Sequence, residues 1–199
     1  MFEGIQNVNP ALELSASLRG LSVTLIKIAN DIRLLSSGPR TGFAELQLPP
    51  VQPGSSIMPG KVNPVMAEML NMVCFQVIGN DTAIAYSAQA SQLELNVMMP
   101  VIAYNLLFSI EILQSGINAF NQRCLKGIKA DAQRCKYFAE NTLAIATALN
   151  PITGYAAAAD VSKEAYRTGA SIKQVAIRKR ILRAADANDI LDPSKLTGK

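Results

Sequence analysis

Ser55, Ser56, Lys61 and Asn63 set two hydroxyls, one ammonium and one carboxamide within nine residues, inside the stretch Gly54-Ser55-Ser56-Ile57-Met58-Pro59-Gly60-Lys61-Val62-Asn63-Pro64. Gly54, Pro59 and Gly60 break any regular element, so the stretch is expected to be a loop. Asn63 followed by Pro64 has the form of an N-cap with proline at the first helical position. The loop is therefore expected to end at the positive end of a helix, where backbone N–H groups, the dipole and Lys61 together favour an anion. Such a pocket suits a carboxylate or a phosphate.

Other chemistries are short of the residues they need. The chain has no His, so it cannot supply a histidine base, and a zinc site would have to be built from scattered cysteines and carboxylates,. No metal and no cofactor are expected. Cys74, Cys124 and Cys135 show no CxxC spacing and leave one thiol over if two pair, which fits a reduced, cytoplasmic setting,. The net charge of +4 is dispersed apart from Arg178-Lys179-Arg180 and Arg183. That cluster reads as a solvated helix face and not as a nucleic-acid interface, because no aromatic residues interleave it. Met1-Phe2-Glu3-Gly4 does not read as a signal peptide. The most apolar window, Leu95 to Leu113, contains Asn96, Pro100, Asn105 and Glu111, and is expected to be a buried bundle helix and not a membrane span.

Long helices are the elements that must hold the loop. At 199 residues, with 49% hydrophobic and 17% charged content, the chain can bury a substantial core, and 6% aromatic content without Trp favours aliphatic helix packing,. Leu14, Leu18, Leu21, Leu25, Ile28, Ile32 and Leu35 alternate spacings of four and three, predicting a packed seam on a helix over about 11–36, roughly 37 Å long. A proline-rich connection over 37–63 follows, stiffened by proline and hinged by glycine as a lid would be; Glu45-Leu46-Gln47-Leu48 is not expected to be a strand. A second helix is predicted over about 65–90, with Leu70, Val73, Val77, Asn80, Ile84, Ser87 and Ser91 along its seam,. Asn80 and Ser87 would fix register there, and Gly79 would mark a close backbone approach. A third carries Met99, Ala103, Leu106, Ile110, Leu113, Ile117, Phe120 and Cys124, with Ile102, Leu107, Ile112 and Ala119 on a second face. A helix apolar on two faces has neighbours on two sides, so partner subunits are implied. Beyond Gly127 shorter helices are predicted over 131–149, 155–168, 171–180 and 184–191.

Gly54 to Pro64 resembles the signature loop of the aspartase/fumarase superfamily, and the resemblance extends to Leu34-Leu35-Ser36-Ser37-Gly38-Pro39-Arg40, Val77-Ile78-Gly79-Asn80-Asp81 and Leu93-Glu94-Leu95-Asn96-Val97. It implies an all-α fold: a long-helix bundle portion over 1–126, bearing the loop 54–64, and a small C-terminal helical domain over 127–199. It also implies removal of a proton beside a carboxylate of a succinyl-type dicarboxylate, loss of ammonia or water from the neighbouring carbon, and a homotetramer free of nucleic acid or membrane. By the resemblance Ser55 is the general base. A serine hydroxyl needs its alkoxide stabilised to act so, and Lys61 with the following helix N-terminus is the positive potential at hand. Ser56, Lys61, Val62 and Asn63 carry over as substrate-binding residues, Lys61 by charge and Asn63 as a donor. Glu68 matches a glutamate that supports a histidine in the family, and equally suits a helix-dipole partner. Arg40 reads as structural.

Leu35-Ser36-Ser37-Gly38, Pro64-Val65-Met66 and Gln92-Leu93-Glu94-Leu95-Asn96-Val97-Met98 resemble aspartases more than fumarases. The expectation is an aspartate ammonia-lyase forming fumarate, with a class II fumarate hydratase or a non-catalytic assembly module as alternatives. The resemblance starts inside the family's central bundle. The histidine and the remaining carboxylate-binding Thr/Ser segments then lie outside these residues, and the chain by itself is expected to be inactive.

Overall fold

Small residues share the inner face of the first long helix with part of its leucine seam. A single turn, α1 (Glu3–Gln6), precedes α2 (Asn9–Leu35), which buries Ser15, Ser22, Ala29 and Ile32. Leu14, Leu21 and Ile28, expected on the packed seam, are 45%, 43% and 41% exposed. Ser and Ala permit a closer helix approach than Leu, and the Ser22 hydroxyl is satisfied within its own helix by the Leu18 carbonyl at 2.9 Å,. Leu18, Leu25 and Ile32 of the same seam do pack on the core, so the exposed stripe is Leu14, Leu21 and Ile28.

The computed structural model describes residues 3–52, 54, 57–58 and 60–197, and the chain divides into two units, Met1–Ala130 and Asp131–Lys199. In the first, α2 lies along α3 (Val65–Gln89), which packs in turn on α4 (Met99–Arg123). Ala29, Ile32, Ala67, Leu70, Cys74, Val77, Leu113 and Phe120 form the core between them. Each large apolar side chain buried there stabilises the unit by roughly 1.5–3 kcal/mol.

Polar contacts choose the register. Asn80 donates to the Ser109 hydroxyl at 2.9 Å, and Ser15 donates to Asp81 at 2.6 Å while Arg19 lies 3.3 Å from the other carboxylate oxygen. A one-turn slip would strand each of these buried groups. Ser87 does not share this role, since its hydroxyl returns to the Ala83 carbonyl at 2.8 Å. Nor does Gly79 mark a close approach: a Cβ there would meet nothing within 4 Å. Gly116 does, because a Cβ on it would lie 3.3 Å from a Val73 methyl.

The connection from α2 to α3 is pinned over its first half. Ala44 donates to the Ser37 carbonyl at 2.8 Å and Glu45 to the Leu35 carbonyl at 2.9 Å. Contrary to the expectation of no strand, β1 (Leu46–Gln47) pairs antiparallel with β2 (Lys129–Ala130), Leu46 opposite Ala130. Pairing with a segment more than eighty residues away leaves no local signal,.

In the second unit, α5 (Ala132–Asn141) starts at Asp131, whose side chain accepts from the Arg134 N–H at 2.9 Å. The single helix expected over 131–149 is two, because Thr142 is extended and its hydroxyl receives the Ala144 N–H at 3.3 Å, starting a 3-10 helix over Leu143–Leu149. α6 (Asn150–Thr168) is broken at Gly154, whose φ of 77° and ψ of 163° only glycine adopts without strain,. α7 (Ile172–Arg178) opens with a capping box of Ser171 and Gln174, and α8 (Ala184–Ile190) follows. Leu149, Val161, Ala165, Ile172 and Val175 make this unit's core. The Arg178–Arg183 run is not a helix face, since α7 stops at Arg178. Arg178 and Lys179 both pair with Glu164, Lys179 at 2.9 Å, and Arg183 pairs with Asp186 at 2.7 Å.

Candidate active site

The signature stretch closes on itself through its glycine. A Cβ on Gly54 would stand 2.1 Å from the Lys61 carbonyl oxygen, so at this neck the two backbones touch and only glycine fits,. The Lys61 N–H donates to the Met58 carbonyl at 3.2 Å, and Gly60 takes a φ of 79° in the turn between them. Ser55 and Ser56, the expected base and its neighbour, lie outside the described residues.

Lys61 and Val62 are exposed, Asn63 is half-buried, and α3 starts two residues on, at Val65. Asn63 does not cap it. The N-cap position is Pro64, the helix has no side-chain cap, and the Val65 N–H goes to the Asn63 backbone carbonyl at 2.8 Å. Pro64 has no N–H of its own, and its carbonyl receives both the Ala67 and Glu68 N–H groups at 3.1 Å,. Attraction for an anion at this end therefore comes from Lys61 and the helix dipole more than from free first-turn amides. The Asn63 carboxamide, relieved of capping, makes no hydrogen bond among the described residues and is available as a donor.

One turn into α3, Glu68 meets a cation from α2 that the sequence reading did not single out. Arg33 lies 3.8 Å from the Glu68 carboxylate, their side chains 43% and 41% exposed. The same guanidinium donates to Asn30 at 3.2 Å, and Asn30 also accepts from Asn71 at 2.9 Å. Asn30 and Arg33 stand one turn apart on α2, as do Glu68 and Asn71 on α3, so i,i+3 spacing of polar residues on two adjacent helices was the available signal. Further down the same interface, burial pushes the Cys74 thiol up from its ordinary range, opposed by a hydrogen bond to Ser22. This is a protonated core thiol and not a nucleophile.

Residues 1–79 match the Lyase family model and residues 145–198 match the model described as Fumarase C C-terminus. Aspartate ammonia-lyase of Bacillus subtilis (strain 168) is 48% identical over 197 residues, 99% of this chain and 42% of that protein. Fumarate hydratase class II 1 of Pseudomonas aeruginosa is 46% identical over 195 residues, 98% of this chain and 42% of that protein. Among solved structures, the native form of fumarate lyase:delta crystallin from Brucella melitensis superposes with a TM-score of 0.89 at 47% identity, covering 97% of this chain and 43% of that one. The chain belongs to the aspartase/fumarase superfamily. It spans about 42% of the length of the relatives it matches. The superfamily fold accounts for the long-helix bundle of the first unit and, through the second family model, for most of the helical second unit.

Proposed function

We propose that the protein acts as an aspartate ammonia-lyase, converting L-aspartate to fumarate and ammonia. Ser55 takes a proton from the carbon beside one carboxylate, and the freed electron pair moves into that carboxylate as an aci-carboxylate. Collapse of this intermediate breaks the neighbouring C–N bond, and ammonia leaves. Charge grows on the carboxylate in the transition state, so a cation and a donor aimed at it accelerate the step by binding that state more tightly than the substrate. Lys61 supplies the charge, Ser56 and Asn63 the hydrogen bonds, and Val62 its backbone beside them. Glu68 steadies a proton-handling group contributed by another segment or another copy of the chain.

The observation that carries this reading is the 48% identity to a named aspartate ammonia-lyase over 99% of the chain. The position of Lys61 and Asn63 between a closed loop neck and the start of α3 supports it. A second reading, hydration of fumarate to malate, is favoured by the 46% identity to a class II fumarate hydratase. The two separate on substrate: the protein at its full natural length should form fumarate, seen by its ultraviolet absorbance, and ammonia from L-aspartate. Fumarate from L-malate but not from L-aspartate would select the hydratase. Neither reaction would leave an assembly module.

A homotetramer in the cytoplasm completes the proposal. Tyr104, Leu107 and Val101 on α4 are 68%, 66% and 45% exposed, and Met72 and Phe75 on α3 are 63% and 57% exposed. By length and composition α4 is apolar enough to cross a membrane, yet its inner face is packed on α3 through Ile102, Leu113 and Phe120 and hydrogen-bonded through Ser109. Exposed apolar area of this extent calls for a partner, and copies of the same chain supply a matching one.

A further inference from the structure

Arg33 makes a hydrogen bond and an ion pair at once. One terminal nitrogen donates to the Asn30 Oδ1 at 3.2 Å, and the other lies 3.8 Å from the Glu68 Oε1. Asn71, only 5% exposed, donates its Nδ2 to that same Asn30 oxygen at 2.9 Å. Its own Oδ1 is buried and has no hydrogen-bond partner among the described residues.

The direction of these bonds is forced. A guanidinium only donates, so Asn30 must present its oxygen to Arg33. That oxygen then obliges Asn71 to present its nitrogen. Turning over the Asn71 carboxamide alone sets oxygen against oxygen, and turning over both sets the Asn30 nitrogen against the guanidinium. The orphaned Asn71 oxygen is thus dictated by Arg33. Buried acceptors without donors are rare and each has a reason; a leucine at 71 would fill similar space with no deficit.

Stability does not provide the reason. Arg33 and Glu68 are both more than two-fifths exposed, and ion pairs so open to water contribute little to folding,. Orientation does. A half-exposed glutamate samples several rotamers, and a guanidinium braced on a carboxamide pair restricts it to those that face Arg33.

We propose that Arg33, braced by Asn30 and Asn71, is a positioning residue for the Glu68 carboxylate. The proposal rests on the lyase reading and on Glu68 steadying proton transfer within it. Its test is a double-mutant cycle in the protein at its full natural length, with kcat and KM on L-aspartate and thermal unfolding measured for each variant. Arg33→Met should lower kcat about tenfold with KM within about twofold, because a misaimed supporting group raises the barrier without weakening binding. Glu68→Gln should lower kcat at least as far, and the double variant no further, since Arg33 acts through Glu68. Arg33→Lys should recover only part of the loss, an ammonium being unable to grip both acceptors. Asn71→Leu should lower kcat while raising the unfolding temperature, the reverse of a merely structural contact. Unchanged kcat in Arg33→Met, additive losses in the double variant, or an Asn71→Leu protein that loses stability and keeps kcat would overturn the positioning role alone. No turnover of L-aspartate or L-malate by the unmodified protein would overturn the lyase reading and this role with it.

Discussion

Lys61 and Glu68 carry opposite charges a few residues apart, and their surroundings give them different work. Lys61 is exposed beside the loop neck, with no carboxylate within ion-pair distance among the described residues, so its charge is free to meet a dianion. Glu68 is already engaged by Arg33. Lys61→Met should therefore cost about a hundredfold or more in kcat/KM on the dicarboxylate substrate, as expected for loss of a charge-assisted contact strengthened in the transition state. Thermal unfolding of this variant should match the unmodified protein, because the residue is exposed; a large fall in stability would contradict the proposed role of Lys61 as a solvent-facing substrate ligand. At this scale the sequence was most informative for the loop and least for what surrounds it. Arg33, Asn30 and Asn71 are ordinary polar residues in helical periodicity, and only the docking of α2 on α3 brings them together.

The Gly54 neck closes its loop by backbone contact alone. Gly54→Ala forces a Cβ to within 2.1 Å of the Lys61 carbonyl, a backbone atom that cannot swing aside. The neck must open, so activity should fall by about tenfold or more while the helices, and hence far-ultraviolet circular dichroism, stay as they are; unaltered kcat would show that the neck does not hold the loop. In the second unit the Lys179 hydrogen bond, joined by Arg178, holds the Glu164 carboxyl below the usual glutamate range and ties α6 to α7. A carboxylate depressed in the folded state adds stability above its unfolded pKa and loses it as pH falls through the folded one. Glu164→Gln should thus narrow the gap in unfolding temperature between neutral and acidic pH, with the two proteins converging at acid pH; a constant gap down to acid would exclude this pair as the cause. Helix existence was legible because Leu70, Val77 and Ile84 recur every seven residues, two helical turns, along one buried face,. Helix ends were less so. Proline at 64 signalled a start, but the capping role of Asn63 passed to backbone carbonyls, and the break at Thr142 rests on one residue's preference for an extended conformation.

Across the whole molecule the apolar residues outnumber the places the chain has to bury them. Of the seam expected on α2, Leu18, Leu25 and Ile32 pack on the core while Leu14, Leu21 and Ile28 are left outside it, and α4 keeps Tyr104 and Leu107 in the open. Periodicity reports that a face is apolar but not which neighbour covers it, so the bundle was readable and its inner face only in part. If copies of the chain cover these faces, Tyr104→Glu with Leu107→Glu should shift sedimentation from a tetramer toward smaller species and reduce turnover in proportion to the tetramer lost. An unchanged sedimentation profile would move the interface elsewhere. On the proposed function, a serine in this loop removes a proton from a dicarboxylate whose growing charge Lys61 and the start of α3 receive. The most direct measurement is fumarate formation from L-aspartate by the protein at its full natural length, compared with its Ser55→Ala variant at matched assembly state. The account predicts turnover in the first and none above background in the second; a Ser55→Ala protein that still forms fumarate at an undiminished rate would contradict it.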